Sequence, residues 1–328
     1  MKIDVFAHIV PVGFKRALEK ESASLPYYIE CTPSLYDLDL RFRIMDKYED
    51  YFQVLTVPGI HEVTMKGHPK AVDLVRRVND EMAGLVSKYP DRFVGAVASL
   101  PLNDMDATLK EAERAINELR FRGVEIWATN AKPLDDEYFR PLYEKMWRYN
   151  LPIWIHPMRN ANVPDYTCEN ESKYGINSIF GWVYETTTAM TRLVFGRVLQ
   201  DYPGIKFITH HCGAMVPYLG KRIVAHYDNY EMLWKHRYFV GLNKHPIEYF
   251  RMFYNDTALN GSSSGLMCAY DFFGTERLLF ATDMPFDCQL GHVSIRETMR
   301  SVEEMNISVS DKKKIYVENA RNLMRLPV

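Results

Sequence analysis

Long apolar runs, paired cysteines and an excess of either charge are all missing from this 328-residue chain. No uninterrupted apolar stretch approaches the roughly 20 residues a bilayer-spanning helix needs, so no membrane partner is expected. The opening, MKIDVFAHIVP, carries no basic region ahead of a long apolar one and predicts no secretory signal. Five cysteines (Cys31, Cys168, Cys212, Cys268 and Cys288) are scattered, odd in number and never spaced as CxxC. That excludes a disulfide framework and predicts reduced thiols in a cytoplasmic protein. Lys plus Arg total 40 against 42 for Asp plus Glu, a net charge of -2, so no nucleic acid partner is expected. No glycine-rich phosphate loop follows the first apolar segment. The chain runs instead into Pro11 and a stretch read as irregular to about Tyr36, which weighs against a doubly wound nucleotide-binding sheet.

What is present is a rhythm. Short apolar, β-branched segments recur at 3–9 (IDVFAHI), 53–57 (QVLTV), 93–100 (FVGAVASL), 123–128 (GVEIWA), 152–156 (PIWIH), 206–211 (KFITHH), 254–259 (YNDTAL) and 278–283 (LLFATD). Several are nearly continuous apolar runs, as parallel strands covered on both faces require. Amphipathic stretches lie between them. Residues 104–120 open on an N-cap candidate, Asp104, and space Leu109, Ala112, Ile116 and Leu119 along one helical face. Residues 69–89 and 185–202 read the same way. Strand then helix, repeated about eight times, predicts an α/β chain folded as a (β/α)8 barrel. With no repeat, linker or low-complexity tract, residues 1–328 read as one domain. The longest loops fall at 10–36, 159–178 and 234–245, and two of them directly follow candidate strands, where barrel enzymes place substrate-binding parts.

Polar residues gather at the strand ends. His8, His156, His211 and Asp283 each fall near the C-terminal end of a predicted strand, and in a barrel those ends converge on one mouth. One histidine at a strand end is more often a packing residue than a ligand. Four such residues at separate tips point to a metal or acid–base site, since three histidines and a carboxylate form an ordinary ligand set for Zn, Mn or Fe. His210 and His211 are adjacent, and strand alternation lets only one face inward. His61, His68, His226, His236, His245 and His292 carry no strand-end signature and read as surface or packing residues.

The segments IDVFAHIVP, LPIWIHP, FITHHCGAMVPY and LLFATDMPF resemble the amidohydrolase-2 branch of the amidohydrolase superfamily, in particular its α-amino-β-carboxymuconate-ε-semialdehyde and γ-resorcylate decarboxylases. RFRIMDKYEDYFQVLTVP, YPDRFVGAVASLPL, YETTTAMTRLVFGRVLQDYP, FYNDTAL and the terminal ENARNLMRL extend the likeness over nearly the whole chain, with weak cover at 15–37 and 159–180. The resemblance implies a distorted TIM barrel with one divalent metal, Zn or Mn, at its mouth. Carried over by motif, the ligands are His8, His156 and Asp283. His211 corresponds to the histidine that assists proton transfer, by its distance from Pro217. His210 stands where relatives carry a small residue and reads as an outer residue at best. The departure is Phe6, where relatives carry His or Glu. Either three ligands suffice and leave open positions for water or a chelating substrate, or metal binding is lost; the retained residues favour the first.

The resemblance implies a non-oxidative decarboxylase acting on a small aromatic or unsaturated carboxylate, with His211 and Asp283 catalytic. A hydrolase or hydratase on the same barrel is the alternative, and a degenerate ligand-binding barrel a third. Arg41, Arg43, Arg159 and Arg222 are candidate carboxylate clamps, because guanidinium forks pair bidentately with carboxylates. Trp127, Trp154, Trp182 and Phe286 are candidates for an aromatic pocket. Homodimerisation is a further implication of the resemblance.

Overall fold

The structure, a computed structural model, describes residues 1–21, 27–58, 70–128, 132–234 and 241–327. All eight apolar segments form strands: β1 Lys2–His8, β2 Tyr51–Thr56, β3 Phe93–Ala96, β4 Val124–Trp127, β5 Ile153–His156, β6 Phe207–Thr209, β7 Tyr254–Asp256 and β8 Leu278–Leu279. They pair in two arcs, β1 to β3 and β4 to β8, parallel throughout. Ala98 bridges Val124 at one seam. At the other, Val5 N–H donates to the Phe280 carbonyl (3.0 Å) and His8 N–H to the Met284 carbonyl (2.9 Å). Both seams are therefore joined and the sheet closes as a barrel without a free edge. Strands β6 and β8 end earlier than their apolar runs. His211 (φ 54°) and Asp283 (φ 58°) adopt left-handed backbone, so the extended conformation stops where the polar side chains begin.

Phe6, Trp154 and Ile208 are fully buried in one apolar cluster, and the Trp154 indole N–H donates to the Val5 carbonyl (3.1 Å). Trp154 thus fills the barrel instead of lining a pocket. A register shift between Asp4 and Ala7 bends β1. Asp4 there accepts from the hydroxyls of Tyr51 and Thr282 (both 2.5 Å), tying β1 to its two neighbours.

The helices cover the outside. Asp104 caps Met105–Asn117 as expected, accepting from Ala107 N–H (3.0 Å). The expected face packs on the core, with Ala112 buried and Leu109, Ile116 and Leu119 partly buried, and it widens to Thr108, Glu111 and Ala115, where Glu111 accepts from Asn79 (2.7 Å) and Arg114 (2.7 Å). The stretch expected over 69–89 forms the helix Ala71–Lys88. The stretch expected over 185–202 is two helices, Gly181–Phe195 and Val198–Asp201, parted at Arg197 (φ 64°). The 10–36 stretch is not a loop throughout. Val12–Glu21 is helical there, and its first N–H groups, Gly13 (2.8 Å) and Phe14 (3.2 Å), donate to Glu81 of another helix. A cap supplied from 68 residues away leaves no local signature.

Arg41, expected as a substrate clamp, is fully buried on the helix Leu38–Met45. It donates to Gln53 Oε1 (2.8 Å), the His8 carbonyl (2.7 Å) and the Ser34 carbonyl (3.2 Å), bracing the end of β1 from behind. Arg41→Ala leaves those buried acceptors without this donor, at a cost of about 1–3 kcal/mol for each one left unsatisfied. The expected outcome is a loss of at least about 3 kcal/mol, seen as a lower urea midpoint at unchanged slope. A midpoint matching wild type would refute the bracing role.

Candidate functional site

The barrel carries its polar residues to one end. His8 and His156 are the last residues of β1 and β5, His210 and His211 follow β6, and Asp283 follows β8. Asp283 is the meeting point. Its Oδ1 lies 3.0 Å from His8 Nε2 and 3.3 Å from His210 Nε2, and its Oδ2 lies 3.8 Å from His211 Nε2. One ring nitrogen each of His8, His156 and His210 lie within 4.8 Å of one another, as do donor atoms of His210, His211 and Asp283. Alternation along β6 does not separate the adjacent histidines, because the left-handed turn at His211 swings its ring back beside that of His210, centroid to centroid 4.0 Å. The expectation that only one of the pair faces inward is overturned. His210, read from sequence as an outer residue, is fully buried at the centre.

The other ring nitrogens are held from behind. His8 Nδ1 meets Thr56 Oγ1 (3.0 Å), His156 Nδ1 meets the Pro157 carbonyl (2.6 Å) and His210 Nδ1 meets the Asp256 carboxylate. Such partners fix the ring plane and aim Nε2 inward, as they do behind metal-bound imidazoles. His8 Nε2 and His210 Nε2 are buried and have no hydrogen-bond partner among the described residues. Burial pulls the pKa of His8 down, and that of His156 well down, which keeps both rings neutral, the state a metal ligand requires. Burial also lowers His211, with the charge on His210 adding to it. For His210 burial is outweighed by Asp256 and Asp283, which lift it to about 10. Burial would raise Asp283, but His210 and the neighbouring imidazoles hold it well below the usual carboxylate range.

Above these residues opens a cavity of about 760 Å³, within the size range of small-molecule pockets. His156, His211 and Asp283 form its polar floor, and Trp127, Trp182 and Phe286 belong to its apolar wall. Trp182 Nε1 is buried and has no hydrogen-bond partner among the described residues. Phe286 packs over His8 with ring centroids 5.3 Å apart. The structure does not bring the candidate arginines to this wall. Arg43 and Arg222 are exposed on outer helices, and Arg159 pairs with Glu185 (3.3 Å) in the loop after β5. His226, His245 and His292 also lie away from the cavity, each against a helix: His245 pairs with Asp228 (3.1 Å), and His292 meets the Tyr48 hydroxyl (2.5 Å). His61, His68 and His236 lie outside the described residues. Asp256, which sequence reasoning missed, ends β7 as His8 ends β1, so the rule of polar residues at strand tips could have found it.

Comparison with known proteins gives the same picture. The family model described as Amidohydrolase matches residues 7–326. The γ-resorcylate decarboxylase of Rhizobium sp. (strain MTP-10005) is 29% identical over 309 residues, covering 92% of this chain and 91% of that protein. The 2-amino-3-carboxymuconate-6-semialdehyde decarboxylase of Dictyostelium discoideum is 26% identical, covering 99% of this chain and 92% of its own. Among solved structures, a dihydroxybenzoic acid decarboxylase from Polaromonas sp. JS666, with bound manganese and the inhibitor 2-nitroresorcinol, superposes with a TM-score of 0.81 at 26% identity, covering 99% of this chain and 96% of that one.

Glu125 on β4 is buried, and its Oε1 has no hydrogen-bond partner among the described residues. Burial raises its pKa from 4.5 to about 8, although the charge on His210 pulls the other way. The folded chain therefore holds this proton to higher pH than the unfolded chain does. The stabilising contribution is full below pH 4.5 and is lost as pH rises through about 8. Glu125→Gln keeps the shape without the ionisation. It is expected to match wild type at pH 5 and to exceed it at pH 9 by roughly 3–5 kcal/mol in denaturant titrations. Parallel pH profiles for the two proteins would contradict this.

Proposed function

The chain belongs to the amidohydrolase family matched over residues 7–326, and from that premise we propose that it is a metal-dependent, non-oxidative decarboxylase of a small aromatic or unsaturated carboxylic acid. The observation that carries this reading is the convergence of His156, His211 and Asp283 on the floor of one largely apolar cavity, with His8 buried against Asp283. The donor set fits a divalent metal: neutral imidazoles, an ionised carboxylate, and buried ring nitrogens that lack any other partner. His8, His156 and Asp283 are the residues that would hold it. Manganese in the Polaromonas neighbour supports Mn, and a nitrogen-rich donor set equally suits Zn. When bound, the metal supplies a Lewis acid that orients the substrate's carboxylate and an adjacent oxygen and stabilises their charge.

The chain's own residues then manage one proton. His211, partly exposed to the cavity and 3.8 Å from Asp283, carries it to the carbon bearing the carboxylate, with Asp283 steadying the charge that develops on the ring. A C–H bond forms there and the bond to the carboxylate breaks. Its electron pair returns to the unsaturated system as carbon dioxide leaves. Trp127, Trp182 and Phe286 offer flat apolar faces to an aromatic substrate. We place the enzyme in the cytoplasm as a homodimer. The five cysteines, all unpaired, support the first, and Ile179, Phe180 and Tyr184, exposed within one short stretch of the chain, support the second. No helix among the described residues is long and apolar enough to cross a membrane.

The test is turnover of dihydroxybenzoates and muconate-like acids by Mn- or Zn-loaded protein in D2O. The expected result is carbon dioxide and a product with one deuterium at the vacated carbon. His211→Asn is expected to lower kcat by about 10²–10⁴ while metal content is retained. A product that takes up oxygen from labelled water without carbon dioxide release would replace this reading by hydrolysis or hydration. Tight binding of the acids without turnover would leave a ligand-binding barrel.

A further inference from the structure

Phe6 offers no donor atom, yet it stands among the ligand candidates, its ring centroid 5.3 Å from His8, 5.7 Å from His156 and 4.0 Å from His210. Only the last contact is stacked, the two planes inclined by 16°. Phe6 is thus the wall that sets the plane of the His210 ring. Asp256 sets its rotation. One oxygen of Asp256 accepts from Cys212 N–H (3.0 Å) and Ala258 N–H (3.1 Å), which leaves the other fixed on His210 Nδ1. His210 Nε2 then has one direction, towards Asp283 Oδ1, the same oxygen that His8 Nε2 approaches.

These separations, 3.0 and 3.3 Å, resemble those of donors sharing one small ion. Two donors bound tetrahedrally at about 2.1 Å lie about 3.4 Å apart. Neither nitrogen has a well-aligned hydrogen bond among the described residues, and a metal bound there would displace the proton that His210 otherwise carries between Asp256 and Asp283. Three histidines, each with Nδ1 held from behind by Thr56, Pro157 or Asp256, each offer one ring nitrogen within 4.8 Å of the others. That is the outer support seen behind imidazoles that ligate a metal.

We propose that His210 is itself a ligand of the metal, supplying from β6 the donor that Phe6 on β1 lacks, while its neighbour His211 is left free to move protons. The inference rests on the metal-dependent reading above. It makes Phe6 and His210 a matched pair: the phenylalanine gives up a donor and aims the one that replaces it. Asp256 acts as a positioning residue through His210.

The test is binding of Co(II) to apo-protein without substrate, read as the visible absorption of the bound ion and as affinity in competition with a chelator. Wild type is expected to bind one Co(II) per chain. His210→Ala should bind at least about 100-fold more weakly with an altered spectrum. Asp256→Asn, which keeps the ring but weakens its support, should lose about 10–100-fold. The double variant Phe6→His/His210→Ala returns a donor to β1 and should recover affinity to within about tenfold of wild type. Wild-type affinity and an unchanged spectrum in His210→Ala would overturn the proposal. If that variant does not fold, undiminished affinity in Asp256→Asn, or no binding by a folded double variant, overturns it instead. Weakened Co(II) binding in His210→Ala and Asp256→Asn with recovery in the double variant, but no acid decarboxylated by wild type, would uphold His210 as ligand and remove the decarboxylase reading. A wild type that binds neither Co(II) nor Mn(II) would remove both.

Discussion

The site is organised by the contact between one carboxylate and the imidazoles around it. Asp283 lies within 4 Å of ring nitrogens from His8, His210 and His211, drawn from β1 and from the turn after β6. A buried carboxylate stays ionised only where positive charge or hydrogen-bond donors compensate for lost water, so these neighbours must be held in place. Much of the surrounding structure does that holding. Thr56, Pro157 and Asp256 fix the rings from behind, and the β1–β8 seam brings His8 and Asp283 side by side.

Most of the architecture was legible in the sequence because buried parallel strands leave continuous apolar runs, and all eight such runs became strands. Where local and tertiary signals part, the reading slipped. The helix Val12–Glu21 is capped by Glu81 of a distant helix, so nothing in its own residues announced its start. In the helix Met105–Asn117 the apolar face was legible, but the buried Glu111 beside it was not, because its partner Asn79 lies on another helix.

The candidate site divides along the same line. His8, His156 and Asp283 could be found because each closes an apolar run, although the strand itself reaches only His8 and His156. His210 could not, because alternation along an extended strand admitted only one of the pair and the likeness to relatives chose His211. Positive φ at His211 cancels that assumption, and such a turn at a non-glycine residue leaves no mark in the sequence. The arginines show the reverse limit. Charge and position in sequence made them plausible clamps, yet Arg41 serves the backbone of β1 and Arg159 serves Glu185.

The indole of Trp154 packs with Phe6 and Ile208 inside the barrel with its N–H on Val5, and it takes no part in lining the cavity. The rim bears Phe286, which is 37% exposed, and Ile179, which is 62% exposed, so the side chains that flank this passage are greasy ones. Whatever enters past them sheds water from its own apolar surface before it reaches His156, His211 and Asp283.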